Sequence, residues 1–239
     1  MDSSDPVIFF FTIFVFVIFV SICVATLVLY VCGEEKMKPG ENYDFLNAKE
    51  ATKDKWADGI LFAERLFREE FGLVLRVAYG TLLGAIREKD FIKNDTDIDM
   101  TYLSAFNRKE DVIAEMHRIY DRLIAMGLVV HDFRTRKNNP HGGQIHLYFE
   151  QYDMILDVTT SWIDEDGHFW VFPYGRMIQG KEILPFKKVP FRKVEITVPK
   201  NSEAILTRLY NDWRTPIGRG KDGGSRAGFR LTWNYGLLT

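Results

Sequence analysis

Asp95, Asp97 and Asp99 stand at alternate positions at the end of the run that begins at Gly80, GTLLGAIREKDFIKNDTDID. At neutral pH such carboxylates repel one another, so the spacing calls for something that offsets the repulsion. Ile98 separates Asp97 from Asp99, and residues two apart on a strand project from the same face. Two carboxylates aimed into one small space suit a hard divalent cation, and Mg²⁺ is held by one or two carboxylates together with substrate phosphates. A solvated acidic loop carries the same spacing, and Asp-x-Asp-x-Asp alone does not choose between the two. A calcium-binding EF-hand loop is excluded. Counted from Asp95 it needs glycine at the sixth place and glutamate at the twelfth, where this chain has Met100 and Phe106.

The elements around the aspartates follow from periodicity. Leu46 to Phe71 reads as a helix, with Trp56, Ile60, Ala63 and Phe67 on one face and Gly72 as its stop. Leu73 to Tyr79 is short and apolar, a buried strand. Gly80-Thr81 then turns the chain into a helix from Leu82 to Arg87, and free N–H groups at such a start bind phosphate. Ile98 to Leu103 is a second strand, and Arg108 to Met126 a second amphipathic helix closed by Gly127. Further strands are predicted at Leu128–Phe133, Gln144–Glu150, Tyr152–Val158 and Ser161–Ile163, and the turn Asp166-Gly167 joins the last of these to Phe169–Phe172. Val194, Ile196 and Val198 alternate once more, and Ser202 is placed to N-cap a last helix to about Tyr210. Strands and helices without strict alternation point to α+β.

A phosphate-binding turn followed by an Asp-x-Asp pair resembles the arrangement of nucleotidyltransferase-fold enzymes, which add a third acid on a neighbouring strand. Asp157, in Ile155-Leu156-Asp157-Val158, fits that third place; a turn-capping aspartate after a strand is the bland reading of it. The resemblance sharpens at the level of family. The run is similar to the LicD/fukutin signature, Tyr-Gly-Thr/Ser-Leu-Leu-Gly-x-x-Arg followed by Phe-Ile-Pro-Trp-Asp-Asp-Asp-Ile-Asp. This chain matches at Tyr79 to Gly84, Arg87, Phe91-Ile92, Asp95, Asp97, Ile98 and Asp99, and departs at Lys93, Asn94 and Thr96. Leu209-Tyr210 and Asp212-Trp213 resemble a late element of the same family, so the resemblance runs from about Phe45 to Pro216.

The resemblance implies a mixed sheet flanked by helices and transfer of a phospho-alcohol, such as phosphocholine or ribitol or glycerol phosphate, from a CDP-alcohol to a hydroxyl of a glycan or glycolipid, with CMP leaving. It implies Mg²⁺, or Mn²⁺ in its place, on Asp97, Asp99 and Asp157, with Asp157 also orienting or deprotonating the acceptor hydroxyl. Gly80 and Thr81 would hold diphosphate, Arg87 would neutralise phosphate charge or equally form a salt bridge on the helix surface, and Asp95, on the substrate side, would support the ligands from behind or fix the loop. His146, on the half-buried strand, is a further substrate-side candidate or a rim histidine. Trp213 and Arg214 are candidates for closing the cleft or simply pack, and Arg134, Arg136 and Lys137 form a basic loop, solvated or reaching a substrate phosphate. Two other readings stand beside this one: nucleotidyl transfer to a small acceptor by the same acids, and a non-catalytic membrane-tethered glycan-binding protein.

The whole chain sets the frame. Val7 to Val31 carries no charge in 25 residues, and roughly 20 such residues span a hydrocarbon core. No Lys or Arg precedes it and no small-x-small cleavage site follows, so a single-pass anchor is expected rather than a signal peptide. The predicted organisation is an anchor over 1–32, a linker over 33–44, a catalytic domain over 45–216 and a Gly- and Arg-rich tail over 217–239. Lys36 and Lys38 after the anchor lean towards a cytoplasmic domain, as in bacterial relatives at the inner membrane; eukaryotic relatives are Golgi proteins with a lumenal domain. Beyond the anchor lie all 31 basic residues and 31 of the 33 acidic ones, a balance that gives no footprint for nucleic acid. Both cysteines, Cys23 and Cys32, are in or beside the anchor, which excludes a thiolate-metal centre in the remainder. The five histidines have no zinc spacing, and Gly-x-Ser-x-Gly and Walker A motifs are missing.

Overall fold

Helix α1 (Glu50–Phe71) buries Trp56, Ile60, Ala63 and Phe67 along one stripe, as their spacing of three and four predicts. It begins four residues later than the periodicity suggested, because the Asp44 carboxylate accepts from the Asn47 backbone N–H (3.1 Å) and side-chain amide (2.7 Å) and holds those residues in a local turn. Gly72 ends it in the left-handed region at φ 69°. This computed structural model describes residues 43–131, 143–171 and 175–216. The apolar run Val7–Val31, the basic loop with Arg134, Arg136 and Lys137, and the tail from 217 lie outside them. The chain divides into two units, Met1–Lys36 and Met37–Thr239, and every described residue belongs to the second. Among the described residues no helix is long and apolar enough to cross a membrane.

After α1 come β1 (Leu75–Val77), α2 (Tyr79–Arg87), β2 (Asp99–Leu103), α3 (Lys109–Ala125), β3 (Val129–His131), β4 (Gln144–Phe149), β5 (Met154–Ile163), β6 (His168–Val171), β7 (Gly175–Gln179), β8 (Lys187–Phe191), β9 (Val194–Val198) and α4 (Ser202–Tyr210). Among the described residues seven strands form one mixed sheet in the order β1-β2-β5-β4-β3, with β6 on β5 and β7 on β6; β8 and β9 form a separate ribbon. The α+β expectation holds. β2 and β5 run parallel; the other pairings are antiparallel.

Several predicted boundaries change. The strands expected at Tyr152–Val158 and Ser161–Ile163 are one strand, β5, because Thr159 and Thr160 continue the ladder onto β2 rather than breaking it. β7 and β8 were not foreseen; neither segment has a clean apolar alternation. Asn201, not Ser202, caps α4: its side chain accepts from Ala204 N–H at 3.2 Å, while the Ser202 hydroxyl donates to Pro199 C=O at 2.8 Å. β1 carries Arg76 in its middle, buried between the rings of Phe169 and Phe186, where burial pulls the guanidinium down to about 10.

Two ties hold the ribbon to the rest. Buried Glu64 of α1 accepts from the Thr197 N–H (2.6 Å) and hydroxyl (2.9 Å) and from the Lys188 ammonium. Arg192, at the β8–β9 turn, pairs with Glu50 (2.6 Å), Asp54 (2.9 Å) and Asp90 (2.7 Å), so α1 and the loop after α2 meet on one guanidinium. That loop leads to the aspartates.

Candidate active site

Along β4 and the first half of β5 one face is core and the other carries half-buried side chains. On β4, Ile145, Leu147 and Phe149 are buried while Gln144, His146 and Tyr148 are half-buried; on β5, Leu156 and Val158 flank half-buried Asp157. Register then sets a row. Asp99 lies opposite Asp157 across the parallel pair, and Asp157 opposite His146 across the antiparallel one. Asp97 joins them from the loop before β2. Ligand oxygens of Asp97, Asp99 and Asp157 lie within 4.8 Å of one another. The geometry thus supplies the convergence that spacing alone left open.

Asp157 and Asp99 are held by different parts of the chain. Asp157 N–H donates to Ile98 C=O at 2.9 Å. Its carboxylate accepts from the Gln144 side-chain amide on Oδ2 (2.6 Å) and approaches His146 Nδ1 with Oδ1 (2.6 Å). A carboxylate oxygen has two lone pairs, so these contacts fix its orientation and leave acceptor capacity. Gln144 has no signature in sequence; its alternation with His146 on β4 was the available signal.

Asp99 is gripped by the glycine turn. Its N–H donates to the Thr81 hydroxyl oxygen at 2.9 Å, and its C=O accepts from Ala78 N–H at 3.0 Å. Thr81, expected to touch diphosphate, is 3% exposed and serves first to set the start of β2. α2 begins at Tyr79, three residues earlier than predicted, and Tyr79 enters it at φ 43°, an uncommon conformation for a residue with a side chain.

Gly80 is explained by Asp95. A Cβ built on Gly80 would lie 2.1 Å from Asp95 Oδ2, so the turn admits this carboxylate only because glycine is there. Gly84 is equally constrained, with a Cβ falling 2.5 Å from the Asp90 carbonyl oxygen. Asp95 Oδ1 also accepts from Thr96 N–H (3.1 Å), a bond local to the loop.

Two of the arginines named from the sequence, Arg87 and Arg214, are engaged on the protein. Arg87 pairs with Glu88 at 2.6 Å and donates to the Trp213 carbonyl at 3.1 Å, tying α2 to the chain after α4. Arg214 lies over the Trp213 ring, 4.3 Å from its centroid, and pairs with Glu203 with both side chains 61% exposed.

Tyr43 was read as linker and is part of the site's frame. It is buried, and its hydroxyl donates to Ile155 C=O (2.6 Å) and accepts from Ile155 N–H (2.7 Å). Burial holds the phenol well above its ordinary range, and the charges of Asp157, Asp153 and Asp97 add to that. It is therefore a permanent donor at working pH.

The donor set is chemically apt for a hard cation. Three half-buried carboxylates offer only oxygen ligands, and a divalent ion would cancel their mutual repulsion. A second group, Asp164, Asp166 and His168, is also close enough to ligate. There, however, Asp164 accepts from His168 N–H (2.8 Å) and the Trp170 indole (2.6 Å), the bonds of a hairpin turn.

Residues 72–201 match the family model described as LicD/FKTN/FKRP, nucleotidyltransferase domain. Curated proteins give no match. Among solved structures, the lincosamide antibiotic adenylyltransferase LnuA, lincomycin-bound, is similar at 13% identity and a TM-score of 0.40, covering 65% of this chain and 87% of that one.

Proposed function

We propose, from the premise that the chain belongs to the LicD/FKTN/FKRP nucleotidyltransferase-domain family, that it moves a phospho-alcohol from a CDP-alcohol to a hydroxyl of a glycan or glycolipid. The observation that carries this reading is the convergence of Asp97, Asp99 and Asp157 within 4.8 Å. In such a transfer the acceptor oxygen attacks the phosphorus that bears the alcohol. The bond from that phosphorus to the bridging oxygen breaks, and CMP leaves with that oxygen. Catalysis of this kind rests on neutralised phosphate charge and alignment more than on covalent chemistry.

Asp97, Asp99 and Asp157 would hold Mg²⁺ or Mn²⁺, which supplies charge neutralisation for the diphosphate. Asp157, oriented by Gln144 and His146, aligns the acceptor hydroxyl and takes its proton. Thr81 and Ala78 keep Asp99 in register, and the start of α2 lends its positive dipole end to anionic substrate. The apolar run Val7–Val31 anchors the enzyme where lipid-linked acceptors are found.

The full chain in detergent is assayed for CMP release from CDP-choline, CDP-ribitol and CDP-glycerol, with Mg²⁺ or with EDTA. One donor is expected to give metal-dependent CMP, and Asp97→Asn to abolish it while the melting temperature holds or rises, since a repelling charge is gone. No CMP from any donor with folded protein would overturn the reading, as would full activity in Asp97→Asn.

A further inference from the structure

Asp99 and Asp157 are locked together by the β2–β5 ladder, but Asp97 precedes β2 and has no ladder of its own. Its neighbour Thr96 is tied elsewhere: Thr96 C=O accepts from the Tyr43 backbone N–H at 2.9 Å. The same residue's hydroxyl closes on both backbone groups of Ile155, two positions before Asp157. Tyr43 therefore touches the chain one residue from one acid and two residues from another.

Its own position is set by aromatic packing. The rings of Tyr43, Phe45 and Phe91 stack in parallel, with centroids 4.9 and 4.6 Å apart. Trp56 stands edge-on to Tyr43 at 4.7 Å and donates its indole N–H to Asp153 C=O at 3.0 Å. Such pairs hold geometry as well as burying area. Phe91 heads the loop that descends to Asp95, so the stack joins the two ends of that loop to α1.

We propose that Tyr43 is a positioning residue of the acid row, a clamp that fastens the loop carrying Asp97 to the strand carrying Asp157. The proposal rests on the metal-site reading above for its consequence but not for its geometry. It assigns a role to a residue well upstream of the segment that matches the family model.

The full chain is compared as wild type, Tyr43→Phe and Phe45→Leu. The first variant keeps the ring and removes the hydroxyl; the second loosens the same stack and keeps the hydroxyl. In metal-free protein, amide exchange at 155–157 is expected to rise about tenfold in Tyr43→Phe relative to Phe45→Leu at matched melting temperature, because the hydroxyl's two buried bonds to Ile155 are lost while the backbone bond from residue 43 to Thr96 is kept. Mn²⁺ affinity, read by titration, is expected to fall about tenfold in Tyr43→Phe alone. If the two variants exchange alike at 155–157, or if wild type binds Mn²⁺ and Tyr43→Phe binds it equally well, Tyr43 is packing and the clamp is overturned. If exchange separates the variants but wild type takes up no Mn²⁺, the clamp stands and the metal reading falls.

Discussion

Asp157 meets two neighbours from β4 at 2.6 Å each, and the weight of the site falls on that arrangement. Partners that orient a ligating carboxylate govern how well it holds its ion, and their loss typically costs about 10–100-fold in metal affinity. Gln144→Ala is therefore expected to weaken Mn²⁺ binding by about that range with little change in melting temperature, because Gln144 is only half-buried. Unchanged Mn²⁺ affinity by calorimetry would show that Asp157 keeps its orientation unaided. At this scale the sequence was readable where chemistry left a pattern. The spacing of Asp97 and Asp99 leaves a metal site and a solvated loop open, and Asp157 is singled out only as the third acid that the family resemblance implies. Gln144 could not be singled out, since a glutamine in a strand has no signature until register puts it beside an acid. Tyr43 could not either, because its partners are the backbone of Ile155 and Thr96, and backbone partners leave no trace in side-chain type. Arg214, open in the sequence between closing a cleft and simply packing, lies over the Trp213 ring and pairs with Glu203 at the start of α4.

Elements were read correctly where one face is buried. α1 and α3 follow their apolar stripes, and β4 alternates as predicted. β7 and β8 escaped because little alternates in them, and β5 was divided because threonines in a mixed sheet look like a gap. What joins these elements is charge as well as packing. Arg192 draws Glu50, Asp54 and Asp90 together. The Arg192 hydrogen bond, followed by that of Lys53, lowers Glu50; the Lys193 hydrogen bond, with Arg192 behind it, lowers Asp54. Carboxylates lowered by folding stabilise fully above their unfolded values and lose that contribution as pH falls through the folded ones. Arg192→Met should thus show its largest loss of melting temperature at neutral pH, and the gap to wild type should shrink as pH drops below about 4. A gap independent of pH would mean that Arg192 acts by packing alone.

For the whole molecule the sequence shows a division that the described residues complete on one side only: a charge-free run, then a domain with balanced charge. We expect the full chain to stay with membranes through a carbonate wash and deletion of Val7–Val31 to release it to the supernatant. Release of the intact chain would remove the anchor from the proposal. The α+β architecture was legible because β-type and helix-type periods alternate irregularly along the chain. The strand order was not, since β1-β2-β5-β4-β3 depends on contacts between segments far apart in sequence.

The parallel pairing of β2 with β5 has a consequence in time. Asp99 and Asp157 become neighbours only when a long intervening stretch, containing α3, β3 and β4, has been looped out and the ladder closed. Parallel pairs across such a loop are slow to form, because chain closure must precede any gain from contact. Helices such as α1 draw on local contacts and can form early. The juxtaposition of Asp99 with Asp157 is therefore expected to be one of the last features of the fold to assemble.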